Sequence, residues 1–241
     1  MIQPDEIRTL YDGFDAPIAT LDCGQKCSPY NESGKPFCCD ICHAVPTAYK
    51  GEWKYLKANT GLWHKWDADK CVDSEKERLE ELARLKDEVP DSMELIECLG
   101  PAHCERDYRA ITCRQFPFFP YLTSDYRFIG LAYYWEFQQQ CWVISNLSVV
   151  TDEYRRQFVD TFDKLFSRMP QEMDSYGGHS EHMREEFARM RRTIPLLGRD
   201  GGVYKISPTT EKMRPVAIET LPKFGPYRVA AALPFPDEAG S

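Results

Sequence analysis

The strongest pattern along the chain is a helical repeat of apolar positions at residues 151–169. Tyr154, Phe158, Phe162, Leu165 and Phe166 fall on one face, and Thr151 or Asp152 stands where an N-cap belongs. Residues 73–88 carry a narrower stripe, Leu79, Leu82 and Leu85, on a highly charged body. Asp73 or Ser74 can cap this segment, Ser74 and Glu77 form a capping box, and Pro90 ends it. The pattern predicts a solvated helix with one packed edge. A third helix is expected at residues 181–192, after a break at Gly177-Gly178, with Met183, Phe187 and Met190 toward the core. Shorter helices are expected near residues 5–11 and at 48–59, the latter weakened by Gly51.

Strand signals are shorter. Residues 126–150 are rich in aromatic and β-branched side chains and read as two strands joined at Gln138–Gln140. Alternation in residues 105–114 suggests a short strand, and Pro117 and Pro120 are expected to break regular structure. Residues 202–207 and 227–233 could pair as strands, and Gly198–Gly202 reads as a turn. There is no internal repeat. The expected class is α+β: a cysteine-rich metal-binding core with short strands and several amphipathic helices. Residues 1–193 form the main domain, and residues 194–241 a C-terminal extension whose strands pack on it.

A second pattern interrupts these elements. Cys23, Cys27, Cys38, Cys39 and Cys42 crowd into residues 23–42, where Pro29, Asn31, Ser33, Gly34 and Pro36 let the backbone fold back on itself. Cys98, Cys104 and Cys113 follow, with Cys141 beyond them. Crowded thiols either grip a soft metal or pair as disulfides. The spacing is neither that of a zinc finger nor that of the common ferredoxins. The adjacent Cys38 and Cys39 are expected to point apart, and can serve two metals or one metal with one thiol packed away. Cys98, Cys104, Cys113 and Cys141 are the chosen quartet for a single four-ligand site, and the arithmetic permits two sites or one larger shared one.

Composition narrows the choice. The net charge of −8 over 241 residues argues against a dedicated nucleic-acid surface, and no apolar run approaches the ~20 residues of a membrane helix. The N-terminal stretch is acidic and lacks the basic and apolar regions of a secretory signal, so a cytoplasmic location is expected, without a membrane partner. In a reducing compartment clustered cysteines read as metal-binding or redox-active. A disulfide-bonded extracellular domain is the weaker alternative.

Particular residues strengthen the metal reading: the Cys38-Cys39 doublet after an upstream cysteine, Thr47 and Glu52, Cys98-Leu99, Cys104 with Tyr108 and Arg109, Cys113-Arg114-Gln115-Phe116-Pro117-Phe118, and Cys141. In these the chain resembles the CxxCxxCC cysteine-cluster proteins, zinc- or iron-chelating domains, and more distantly the flagellin lysine N-methylases. The likeness covers about residues 23–145, and the CRQFPF block is its most specific part. Two departures stand out: the long spacing from Cys27 to Cys38, and Ala110-Ile111 where a proline is usual after the arginine. The resemblance implies a bound metal, and soft thiolates favour zinc or an iron–sulfur cluster over harder ions. The methylase likeness hints at modification of a protein or peptide partner. A non-catalytic zinc-binding structural or metal-handling module is the alternative.

Other candidates are weaker. His43 and His103 adjoin cysteines and could be mixed ligands. His64 reads as a packed aromatic, and His179 with His182 as a solvated helix start. Cys71 reads as a bystander. Arg109 and Arg114 could neutralise thiolates, meet an anionic substrate, or pair with Asp107 or Glu105. Glu52, Asp107 and Tyr108 are the available acid–base candidates. The aromatic residues Phe116, Phe118, Phe119, Tyr121, Tyr133, Tyr134 and Trp135 read as core that could also shield a cluster.

Overall fold

The computed structural model describes residues 2–228 and is α+β. Its helices are α1 (Pro4–Asp12), α2 (Gly24–Cys27), α3 (Lys50–Asn59), α4 (Glu75–Glu88), α5 (Ile111–Gln115), α6 (Trp142–Ser145), α7 (Asp152–Arg168) and α8 (Gln171–Arg189). Its strands are β1 (Thr47–Tyr49), β2 (Trp63–Lys65), β3 (Met93–Cys98), β4 (Phe118–Leu122), β5 (Phe128–Tyr133), β6 (Ile194–Gly198), β7 (Val203–Ile206) and β8 (Met213–Pro215). They form two antiparallel sheets, ordered β1-β3-β2 and β4-β5-β6-β7-β8. The boundary expected at residue 193 falls just before a strand that pairs with β5, so residues 194–215 share a sheet with the central chain.

The helical repeat of α7 is realised as predicted. Thr151 Oγ1 accepts the Tyr154 amide at 3.1 Å, and Tyr154, Phe158, Phe162, Leu165 and Phe166 are buried. Rings of Phe14, Tyr154, Phe158, Phe162 and Phe166 touch in series, mostly tilted or edge-on. The α4 helix is capped by Ser74, which accepts the Glu77 amide, and has no fully buried residue. It is the solvated helix its charge predicts.

Elsewhere tertiary packing overrides local pattern. The α8 helix runs through Gly177 and Gly178 instead of starting after them. Each glycine costs about 1 kcal/mol in a helix. The buried Ser180, Met183 and Phe187 offset this, and the bare Cα of Gly177 lets the Tyr126 ring lie where a side chain would sit 3.2 Å away. Pro120 lies inside β4, opposite Leu131, because β4 is a sheet edge and needs no second donor row.

Residues 105–114 form a 3₁₀ turn and α5 rather than a strand. Of the two strands expected in residues 126–150, one forms. Both sides of β5 are taken by β4 and β6, so the chain turns away: the amides of Gln140 and Cys141 return to Phe137 O at 3.1 and 2.8 Å. The strand expected at 202–207 is β7, but its partners are β6 and β8. Tyr227 and Arg228 lie in a 3₁₀ turn, and the rest of the expected strand at 227–233 is outside the described residues. His64 is exposed on β2, not packed.

Two ionisable side chains, buried Glu52 and half-buried Arg114, tie the N-terminal half together. Glu52 accepts hydrogen bonds from Tyr11 Oη at 2.7 Å, the Ile111 amide at 2.7 Å and the Tyr49 amide at 3.2 Å, joining α1, α5 and the β1–α3 junction. Arg114 donates to the carbonyls of Tyr11, Phe14, Arg106, Asp107 and Arg109, with its guanidinium over the Tyr11 ring at 4.2 Å. Beside this pair, Gly51 passes so close to Ile2 O that a Cβ would lie 2.0 Å from it.

Glu52→Ala leaves three buried donors without an acceptor, each worth about 1–3 kcal/mol. A loss of at least ~3 kcal/mol is expected in urea unfolding, while Glu80→Ala on the exposed face of α4 changes the midpoint little.

Candidate metal centre

Ten cysteines leave eight free thiols: Cys23, Cys27, Cys38, Cys39, Cys98, Cys104, Cys113 and Cys141. The other two are paired. Cys42, expected among the ligands, forms a disulfide with Cys71, which is therefore no bystander. The pairing takes Cys42 out of the thiolate set and ties the end of the first cysteine loop to the chain after β2.

Each remaining thiol is held by local structure. Cys23 stands at the N-cap of α2 and Cys27 at its last position, one helical turn apart on one side. Gly24 lets the next loop approach: a Cβ there would lie 2.8 Å from the Pro36 ring. That loop presents Cys38 and Cys39 on a 3₁₀ turn, and the two do not point apart as expected: the tight turn brings their sulfurs to 3.9 Å, within hydrogen-bonding distance. Asn31 Nδ2 donates to Asp40 Oδ2 at 3.0 Å and Ser33 Oγ donates to it at 2.6 Å, so polar residues that read as loop punctuation form its internal brace. These hydrogen bonds hold the Asp40 carboxyl below its usual range although burial opposes them.

The downstream thiols sit on firmer elements. Cys98 ends β3 opposite Trp63 of β2, and its sulfur accepts the Gly100 amide at 3.4 Å. Cys104 follows a 3₁₀ turn and accepts from Arg109 Nε at 3.1 Å. Cys113 lies on α5, whose first amide Glu52 holds and whose Thr112 hydroxyl donates to Thr47 O at 2.6 Å. Cys141 is the N-cap of α6.

These stretches converge on one cavity of about 630 Å³. Cys23, Cys38, Cys39, Cys98, Cys104 and Cys113 line it, with Arg109, Arg106, Asp22, Phe116, Tyr134 and Phe137. Glu81, Arg84 and Leu85 of α4 complete one wall. Cys141, chosen in sequence as the fourth partner of Cys98, Cys104 and Cys113, does not line this cavity, and the thiols that act on it electrostatically are Cys23, Cys27 and Cys38. The thiol beside the downstream trio is Cys39. Among the described residues, no group of three or more His, Cys, Asp or Glu side chains is drawn close enough to hold a metal ion as it stands.

The thiols differ in how readily they lose a proton. Burial pushes Cys23 up to about 11 and Cys141 up to about 12, and neighbouring cysteines add to both shifts. Cys27, Cys98 and Cys113 are raised by the same two causes. The exception is Cys39, lowered first by the Cys38 hydrogen bond and then by Arg109, while Cys38 is raised by the same bond and by burial. The doublet thus loses its first proton easily and holds its second. Arg109 stays charged against the cost of its own burial because Cys104, Cys113 and Cys39 face it. Arg114 is spent on backbone carbonyls and plays no such part.

The histidines do not complete the set. His43 is exposed, near Asp40 and Phe37, and His103 is exposed on its turn. His179 is not solvated as expected: it is half-buried among Phe119, Tyr134 and Trp135, and burial lowers it to about 4. Among the described residues no helix is long and apolar enough to cross a membrane. Compared with family models, curated proteins and solved structures, the chain matches none.

In the metal-free protein with no reductant present, iodoacetamide near neutral pH should modify Cys39 first, since the thiolate is the nucleophile. Cys23 and Cys141 should react only as the solution becomes alkaline. Arg109→Met removes the cation that favours the Cys39 thiolate and should slow its alkylation by roughly three- to tenfold. Peptide mass spectrometry reads the order. Cys42 and Cys71 should stay unlabelled until a reductant is added.

Proposed function

We propose that this protein is a cysteine-ligated metalloprotein whose thiols bind an iron–sulfur cluster or zinc. One observation carries the reading: eight unpaired cysteines, from stretches as far apart as residues 23 and 141, are gathered in and beside a single cavity. A core gains nothing from collecting thiols in this way, and soft metals are what such donors bind.

The donor set fits a metal in three respects. The thiols are free, Arg109 offers a buried positive charge to offset several thiolates, and Phe116, Tyr134 and Phe137 form a wall of low polarity. Ligands must lose protons to bind, so deprotonation and closure around the cation occur together. The resemblance to the cysteine-cluster chelating proteins points the same way.

The cavity favours a working centre over a purely structural one. Structural zinc sites are closed by four protein ligands, whereas sites that handle a further molecule keep an open side. Here about 630 Å³ adjoins the thiols, room for a small molecule or the end of a side chain. A protein or peptide substrate, as in the distant methylase likeness, suits that volume. Glu52, an acid–base candidate in sequence, is better read as structural, since backbone and tyrosine donors occupy it.

Anaerobic purification followed by metal analysis and an absorption spectrum tests the reading. A brown protein with a broad band near ~400 nm indicates iron with thiolate and sulfide. A colourless protein carrying zinc indicates the other metal. A chain with eight titratable thiols that takes up neither added zinc nor iron with sulfide would overturn the proposal.

A further inference from the structure

We propose that the Cys42–Cys71 disulfide is a redox latch. Closed, it holds the loop of Cys38 and Cys39 against the Cys98 side of the cavity; a dithiol reductant opens it and loosens the grip on bound metal. This rests on the reading that the thiols bind metal, and it adds how that binding is regulated.

The loop has few other ties. Among the described residues, the hydrogen bonds of residues 29–43 stay within residues 27–44. Cys42 Sγ comes within 3.6 Å of Lys70 O, but a disulfide sulfur has no proton to donate, so this is contact only. The Tyr30 ring rests edge-on against Tyr227 at 5.4 Å, and Pro36 packs over Gly24. The covalent tie to Cys71 is the one that reaches the β1-β3-β2 sheet.

Cys71 is anchored where Cys42 is not. Just before it, the Trp66 amide donates to Leu95 O at 3.2 Å, Ala68 is buried, and Lys70 pairs with Glu97 at 2.5 Å. Leu95 and Glu97 belong to β3, and Cys98 ends that strand. The connection therefore runs from Cys39 to Cys42, across to Cys71, and through Lys70 and Glu97 to the residue beside Cys98. It restrains the doublet relative to Cys98, and all three thiols line one cavity. A ligand on a pinned loop meets its metal at a higher effective concentration than one on a free loop. Opening the latch lowers that concentration without removing a thiol from the set.

The bond is also reachable. Cys42 is exposed and Cys71 half-buried, so a thiolate of the reductant attacks Cys42 Sγ. The Cys42–Cys71 bond breaks, and Cys71 leaves as a thiolate and takes up a proton. The second thiol of the reductant then attacks the mixed disulfide, which frees Cys42 and closes the reductant's own disulfide. Two electrons and two protons pass to the protein. Exposed disulfides are the exchangeable, regulatory kind.

Hydrogen exchange followed by mass spectrometry, on the metal-free full-length protein with and without a phosphine reductant, reads the latch alone. Amides of residues 29–42 should exchange roughly tenfold faster after reduction, and in Cys71→Ser without reductant, while those of β5 and α7 stay unchanged. Zinc-loaded protein reads the effect on metal, through transfer of zinc to a chromophoric chelator. Transfer should be about tenfold faster from the reduced protein, and from the double variant Cys42→Ser/Cys71→Ser, than from the disulfide form.

Unchanged exchange at residues 29–42, or zinc held as firmly once the bond is open, would overturn the latch while leaving the metal reading intact. Firmer zinc binding in Cys71→Ser than in the double variant would make Cys42 a ligand and overturn it too. Should the variants not fold, the reduced unsubstituted protein decides on the same two readouts. A chain that binds neither zinc nor iron with sulfide would remove the metal reading, and this regulation with it, whatever the exchange shows.

Discussion

The constraint on which the rest depends is the pairing of buried Glu52 with half-buried Arg114 across Tyr11. Glu52 collects donors from α1, from the β1–α3 junction and from α5, and Arg114 collects carbonyls from the end of α1 and from residues 106–109. Between them lies Tyr11, its hydroxyl on Glu52 and its ring beneath Arg114. A buried charge that is fully hydrogen-bonded tolerates little displacement, because each lost bond exposes a desolvation cost. The arrangement therefore sets the relative positions of segments that share no sheet. Cys113 and Arg109, one directly before Arg114 and the other five residues before it, inherit that precision.

Around this frame the molecule combines a stiff half with a loop-rich half. The five-stranded sheet, α7 and α8 enclose an aromatic core, and β4 and α8 are stitched by Ser180 and Arg184 to Leu122. The small β1-β3-β2 sheet carries Cys98 to the edge of the cysteine region. The first cysteine loop has no sheet beneath it. It relies on Asn31, Ser33 and Asp40 within, and on the Cys42–Cys71 bond at its end.

What could be read in sequence follows from the range of the forces involved. Helices α7 and α4 were legible because their caps and apolar stripes lie within a few residues of each other. The course of α8 through Gly177 was not, since it depends on Tyr126, about fifty residues upstream. The second strand expected in residues 126–150 failed because β6, from the far end of the chain, already occupies the available edge. The cysteines were recognisable as a group by type and density. How the fold gathers them was not: residues 23–39 and 98–113 reach one cavity only through tertiary packing. Cys71 gave no signal at all, because its partner is fixed by the path of β2 and not by any motif.

The wide sequence span of the thiols also has a consequence in time. Cys141 comes 118 positions after Cys23, and a chain leaving the ribosome displays its first thiols several seconds or more before the last exists. During that interval residues 23–39 carry reactive sulfur with no downstream partner to share it. The internal brace of Asn31, Ser33 and Asp40 needs nothing beyond residue 40. That local fold can shelter the early cysteines during synthesis, holding them in shape until the rest of the basin arrives.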